Sequence, residues 1–286
     1  MKSETLIRVL TVGSLSGLLL GVGLRLTGGQ VLASLWKCRL ALIILVNFVV
    51  VPALAAALAR AFALGSEIST GMILLAAAPF APVVPVFARM ARADLALAAG
   101  LTTLFPVLSA FLTPWVCELT LRAVPDAGAV RFRVGGVLLT LLCTVTLPLA
   151  LGIAVNHLAP ALGRRALRPV EIISEFTGAM SLAFVTFTEL RSVLAIGWVP
   201  LLVMALVSEV SLLLGWAIGG PERGAQRVVG LGTSNRNIAL ALLVAIQSFA
   251  GTPVVPAVVA NGLLLILLGL LHVGLWRLGP ERRPFS

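Results

Sequence analysis

Long apolar runs recur along the 286-residue chain, separated by short polar joints. A membrane-spanning helix needs about 20 mostly apolar residues. Runs of that kind lie near 6–26, 40–63, 70–91, 95–117, 134–157, 170–190, 194–219, 228–250 and 254–276, which predicts nine transmembrane helices. The joints are as short as "ARAD" and "GTPVVP", which leaves no room for a soluble domain. The expectation is an all-α polytopic membrane protein, a single transmembrane domain over 1–286 with halves of about 1–120 and 134–286. The first run could pass for a secretory signal, but no small-residue cleavage pattern precedes "RLTGGQ". It is read as a helix of the mature chain.

Two runs differ from the rest. The third, "GMILLAAAPFAPVVPVFARMARAD", carries Pro79, Pro82 and Pro85. Each proline removes a helical donor and crowds the preceding turn, so this helix is predicted to break. The eighth, "VVGLGTSNRNIALALLVAIQSF", sets Gly230 and Gly232 beside the polar stretch Thr233, Ser234, Asn235, Arg236 and Asn237, and a second break is predicted there. Unwound backbone at membrane depth survives only where it is buried in protein or lines a cavity. Paired interrupted segments in the two halves point to a transporter's binding site.

Composition strengthens the membrane reading. The chain is 59% hydrophobic and 11% charged, against about a quarter charged in soluble domains. The lipid bilayer is therefore its expected solvent. A net charge of +10 would suit nucleic acid, but the basic residues lie between apolar runs rather than along one polar face, so that partner is excluded. Their distribution instead predicts orientation. Lys2, Arg8, Arg60, Arg122, Arg131, Arg133 and Arg191 fall on one side, seven in all. Arg25, Lys37, Arg39, Arg89, Arg92, Arg164, Arg165, Arg168, Arg223, Arg227, Arg277, Arg282 and Arg283 fall on the other, thirteen in all. The basic side holds the C-terminus, which is expected in the cytoplasm with the N-terminus outside, in a plasma (inner) membrane. Nothing in the pattern sets an oligomeric state. Cys38, Cys117 and Cys143 form no CxxC or Cys/His cluster, and His157 and His272 show no ligand spacing, so no metal site or disulfide framework is predicted. Both histidines are read as packing or helix-end residues.

Arg236 belongs to neither basic side. Arginine stays protonated and is costly in hydrocarbon, so it must meet an anion, a group of carbonyls or a buried carboxylate. Glu209, near the middle of the seventh run, is the carboxylate candidate, and it is also a candidate proton carrier. Both readings of Arg236 stand at this point, and a pair that opens during transport would combine them. Asn261 is a further polar residue at depth, able to line a cavity or to bond a neighbouring helix. Gly13, Gly17 and Gly21 form a small-residue stripe suited to close helix packing. Glu171 and Glu175 share one face of the sixth helix, and Asp94 reads as a surface cap.

The stretch from about 40 to 117, with "LALIILVNFVVVPALA", "GMILLAAAP", "ARADLALAAGLTTL" and "FLTP", resembles the bile acid:sodium symporter family. "SNRNIALALLVAIQSF" is similar to that family's second crossover helix, and Pro79, Arg92, Thr113, Pro114, Pro148 and Asn237 carry the pattern. The resemblance implies core and panel domains built from inverted repeats, two broken helices crossing near the midplane, and transport by alternating access. The nine runs match the family's nine-helix form. It also implies sodium sites, and here the sequence departs. A Gly-Gly-Thr-x-Ser-Asn run is replaced by Phe80, Ala81, Pro82, Val83, Val84 and Pro85; Ala98 stands for a serine, Gly232 for a glutamate and Arg236 for a glutamine. Thr102 and Asn47 are the oxygen-bearing side chains left at the family's ligand positions, so sodium coupling is not carried over and no cofactor is expected. A glutamate with two sodium ions sums to +1, and so does Gly232 with Arg236. Arg236 is thus read as a built-in replacement for the coupling cations.

The expected function is a secondary active or facilitative transporter of a small organic anion. Its expected site residues are Arg236, Asn235, Asn237, Thr233, Ser234, Thr102, Asn47, Glu209 and Asn261, with hinges at Pro79, Pro82, Pro85, Gly230 and Gly232. The alternatives are a non-transporting sensor or scaffold on the same fold, and a membrane-embedded enzyme. No HExxH, paired aspartate or Ser/His dyad is present for the enzyme, so no catalytic residue is named.

Overall fold

The computed structural model describes residues 2–25, 38–122 and 132–278, and all regular structure among them is helical. Helices α1 (Lys2–Arg25) and α2 (Leu40–Ala61) are followed by the short helices α3 (Ser66–Ala76) and α4 (Val84–Met90). After them comes α5 (Leu95–Leu121). The second half runs α6 (Val134–Leu158), α7 (Pro160–Thr188), the short α8 (Leu190–Leu194) and α9 (Trp198–Ile218). It closes with α10 (Arg223–Ser234), α11 (Ile238–Phe249) and α12 (Val254–Leu278).

Among the described residues, eight stretches are long and apolar enough to cross a bilayer. The expected segment at 70–91 is instead α3 and α4 on either side of a break, and the segment at 228–250 is α10 and α11 bent at Asn235–Asn237. The outer surface carries large apolar side chains such as Phe176, Phe187, Leu194, Leu213 and Leu267, which suits hydrocarbon rather than water.

Two groups of helices meet. Helix α1 packs along α6 and α7, and small residues set the distance. A Cβ on Gly17 would lie 2.0 Å from Ser174 Oγ, and one on Gly23 would lie 2.4 Å from the Leu149 carbonyl oxygen. Gly13, the first position of the expected stripe, has open space, whereas Gly23 and Gly152 are a close contact that the stripe did not include. Hydroxyls add cross-links: Thr11 to Ser181 at 2.8 Å, Ser14 to the Ser174 carbonyl and Ser16 to the Thr144 carbonyl. The other group holds the two broken helices, enclosed by α2, α5, α9 and α12. Within Arg223–Ser248, 89% of the most apolar 18-residue window is buried, the highest share of the eight. Of the basic residues, Arg25 pairs with Glu171, Arg227 donates to the Ala91 carbonyl, and Arg277 donates to the Met90 carbonyl. Lys37, Arg131, Arg282 and Arg283 lie outside the described residues.

Candidate functional site

The two breaks face each other and bond through their backbones. Phe80 N–H donates to the Gly232 carbonyl at 3.3 Å, Ala81 N–H to Asn235 at 3.2 Å, and Asn237 N–H to Ala78 at 2.7 Å. Each unwound strand thus satisfies groups that the other helix lost, as buried backbone requires. Thr113 Oγ donates to the Ala77 carbonyl at 2.7 Å and anchors the end of α3 to α5. Asn237 caps α11 by accepting from Leu240 N–H at 3.1 Å.

The prolines and glycines divide differently from expectation. Pro79 and Pro82 lie in the first break, whereas Pro85 sits in the first turn of α4, where its missing N–H costs nothing. The second break falls at Asn235–Asn237, the polar end of its predicted stretch, and α10 runs helically through Gly230 and Gly232. Their role is proximity. A Cβ at Gly232 would lie 2.0 Å from Phe80 Cε1. Phe80 takes φ +55°, a strained value for a bulky residue, and stacks on Phe105 with ring centres 4.2 Å apart. Phe48 continues the stack at 5.8 Å from Phe105. Where the family resemblance places a glutamate, there is therefore an aromatic ring against a bare α-carbon.

Arg236 is 4% exposed and reaches α2. Its Nη1 donates to the Asn47 carbonyl at 3.4 Å, a long bond, and its Nη2 has no partner. That carbonyl is open because α2 makes a π turn over Val46–Val50: Val51 N–H bonds to the Val46 carbonyl, and Pro52 has no N–H to offer. The Asn47 side chain donates to the Ile43 carbonyl and to Thr233 Oγ1, which ties α2 to α10, while its Oδ1 is buried without a partner. Ser234 and Asn235 bond locally within the turn that ends α10.

A cavity of about 480 Å³ opens beside this junction. Asn235, Arg236 and Asn237 form its polar wall, with Ala81, Pro82 and Val83 from the other break. Thr11 and Ser14 of α1 and Glu175 and Ser181 of α7 face them. The cavity thus lies where the two helix groups meet. Not every expected site residue reaches it. Thr102 and Asn261 are buried, their side-chain oxygens lacking partners, and neither lines the cavity. Glu209 is a correction: it meets His272, Oε2 to Nε2 at 3.1 Å, rather than Arg236. The spacing of Glu209 and Arg236 along the chain gave no view of which helix faces they occupy. His272, expected as a packing or helix-end residue, gains a partner, and Glu175, expected only to share a helix face with Glu171, lines the cavity. Asp94 caps α5 through Leu97 N–H as expected. Among the described residues Cys38, Cys117 and Cys143 form no disulfide, and no His/Cys/Asp/Glu group could hold a metal.

Residues 14–195 match the Sodium Bile acid symporter family. The chain belongs to that family. The match takes in the second half of α1 and all of α2 to α8, and it ends before the second broken helix that carries Arg236. No curated protein matches the chain. Membership makes this an integral membrane protein and a sodium-coupled or related transporter of organic anions. The sodium such carriers use was tested against the residues present. Phe80 fills the space in front of Gly232, and the oxygen donors left at the expected ligand positions are Asn47 Oδ1 and Thr102 Oγ1. That set does not fit a cation that needs several hard oxygens.

Proposed function

We propose that this chain is a sodium-independent carrier of organic monoanions that binds its cargo at Arg236. The observation that carries the reading is Arg236 itself, a residue that lines a 480 Å³ cavity between the two helix groups and whose Nη2 is buried without a partner. A buried donor without a partner needs an explanation, and a permanent cation facing a cavity is explained by an anion. The start of α11 adds to this, since Asn237, Ile238 and Ala239 line the same cavity and a helix N-terminus favours negative charge. Leu18, Val86, Phe87, Leu242, Leu265 and Ile266 give the remaining wall an apolar face, suited to the hydrocarbon body of an amphiphilic acid.

Alternating access then follows from the cavity's position. Its floor belongs to the broken helices and its roof to α1 and α7, so movement of one group against the other would expose it to either side. The cross-bonded breaks travel as a unit, because their three backbone hydrogen bonds join them to each other. By the distribution of Lys and Arg, the C-terminus faces the cytoplasm and the N-terminus the outside.

The test is counterflow of taurocholate, an amphiphilic monoanion, in proteoliposomes made in potassium chloride. Arg236→Gln is expected to abolish counterflow while the protein keeps its size-exclusion profile and helical content. Wild-type rates in the variant would refute the reading.

A further inference from the structure

The contact between Glu209 and His272 lies outside the cavity and has its own chemistry. His272 Nδ1 faces the Leu268 carbonyl at 2.8 Å, and its Nε2 faces Glu209 Oε2 at 3.1 Å. A carbonyl oxygen can only accept, so Nδ1 carries a hydrogen. Between Nε2 and Oε2 one proton must lie, on the imidazole or on the carboxyl. Either way the pair is neutral. Without that proton a ring lone pair would face a carboxylate, and the pair would carry −1 within the membrane span, where such charge is costly. The geometry is that of a site for one proton.

The surroundings place charge on one side of it. From α10, Arg227 lies 5.8 Å from the centre of the Trp276 ring and donates to the Ala91 carbonyl, while the Trp276 ring lies 6.0 Å from the imidazole. Arg277 on α12 donates to the Met90 carbonyl, and α4 also carries Arg89. On α7, Glu171 pairs with Arg25 and Glu175 lines the cavity. Arg60 of α2, Glu67 of α3 and Arg191 of α8 sit toward the Val254 end of α12, about 27 Å of helix from His272. The pair is thus one turn inside a rim of Trp276, Arg227 and Arg277.

Helix α12 connects this site to the crossover. A Cβ at Gly269, three residues before His272, would lie 2.8 Å from Asn235 Oδ1, and Leu265 and Ile266 line the cavity one turn further on. On the other side, Gly215 of α9 is pressed against Val229 and Gly230 of α10. The Glu209–His272 contact therefore joins the two helices that hold the second broken helix in place.

We propose that Glu209 and His272 bind one proton between them and that this proton is the ion that accompanies the anion through the transport cycle. The inference rests on the anion-carrier reading above. One monoanion moving with one proton carries no net charge, so the coupled step is electroneutral.

The experiment uses full-length protein in proteoliposomes, with taurocholate as probe and potassium with valinomycin fixing the membrane potential. Wild type is expected to accumulate taurocholate when the outside is made acidic and to be indifferent to the imposed potential. His272→Gln and Glu209→Gln are expected to keep counterflow at equal pH and to lose the accumulation. Should either single variant fail to fold, the double variant E209Q/H272Q, whose two amides can bond each other, takes its place. Counterflow without response to the proton gradient, or an undiminished response in the variants, overturns the coupling and leaves the carrier reading standing. No counterflow in wild type overturns the carrier reading, and the coupling with it.

Discussion

Replacing Gly232 by alanine probes the packing that displaced a cation site. The added Cβ would come within 2.0 Å of Phe80 Cε1 and 2.4 Å of Cδ1 and Cζ, well inside van der Waals contact. The ring cannot retreat freely, since Phe80 is fully buried, stacked on Phe105 and fixed at its own N–H to the Gly232 carbonyl. Overpacking of this kind costs about 1–3 kcal/mol. At roughly 2–4 °C per kcal/mol for a chain of this size, Gly232→Ala should melt about 2–12 °C below wild type in detergent. Phe80→Ala alone should cost about 3–5 kcal/mol through the cavity it leaves. Combined, the two changes should cost no more than Phe80→Ala by itself, because the clash has gone; the cycle should show about 1–3 kcal/mol of coupling. An unchanged melting temperature for Gly232→Ala, or strictly additive losses, would refute the argument that ring and glycine share one space.

Three further outcomes are expected. Pro52→Ala returns an N–H to the π turn that competes with Arg236 for the Asn47 carbonyl, and the loss of a hydrogen bond worth about 0.5–1.5 kcal/mol should weaken taurocholate binding by about two- to tenfold in a titration. Thr113→Val removes the bond to the Ala77 carbonyl and should lower thermal stability by a cost of about 1–3 kcal/mol, that of an unsatisfied buried acceptor. Gly23→Ala meets the backbone of α6, which cannot give as a flexible side chain can, and should lower the melting temperature more than Gly13→Ala, where space is open.

Much of the fold was legible in the sequence. Apolar run length located the long helices, because hydrocarbon imposes a length and forbids unsatisfied backbone. Three prolines in seven residues located the first break, since each removes a donor. The second break falls at the polar end of its predicted stretch, past Gly230 and Gly232, which stay helical. Glycine only weakens a helix by about 1 kcal/mol, and close packing against Phe80 and α9 outweighs that cost. Arg236 announced the site by its expense alone. Its partner did not follow the same way: Glu209 was the nearest candidate by depth, but which face of α9 it occupies depends on packing, and that face meets His272. Glu175 was missed as a cavity residue for a related reason, because α7 begins at Pro160 and carries it deeper than a start near residue 170 would.

The most direct test of the account is equilibrium binding of taurocholate to purified wild type and Arg236→Gln, each in sodium chloride and in potassium chloride at equal ionic strength. Wild type is expected to bind equally in both salts. Arg236→Gln should bind about tenfold to a hundredfold more weakly in both, from the roughly 1.5–3 kcal/mol of a hydrogen bond to a charged group. Binding that requires sodium, or that survives the loss of Arg236, would contradict the claim that this arginine stands in for the coupling cations.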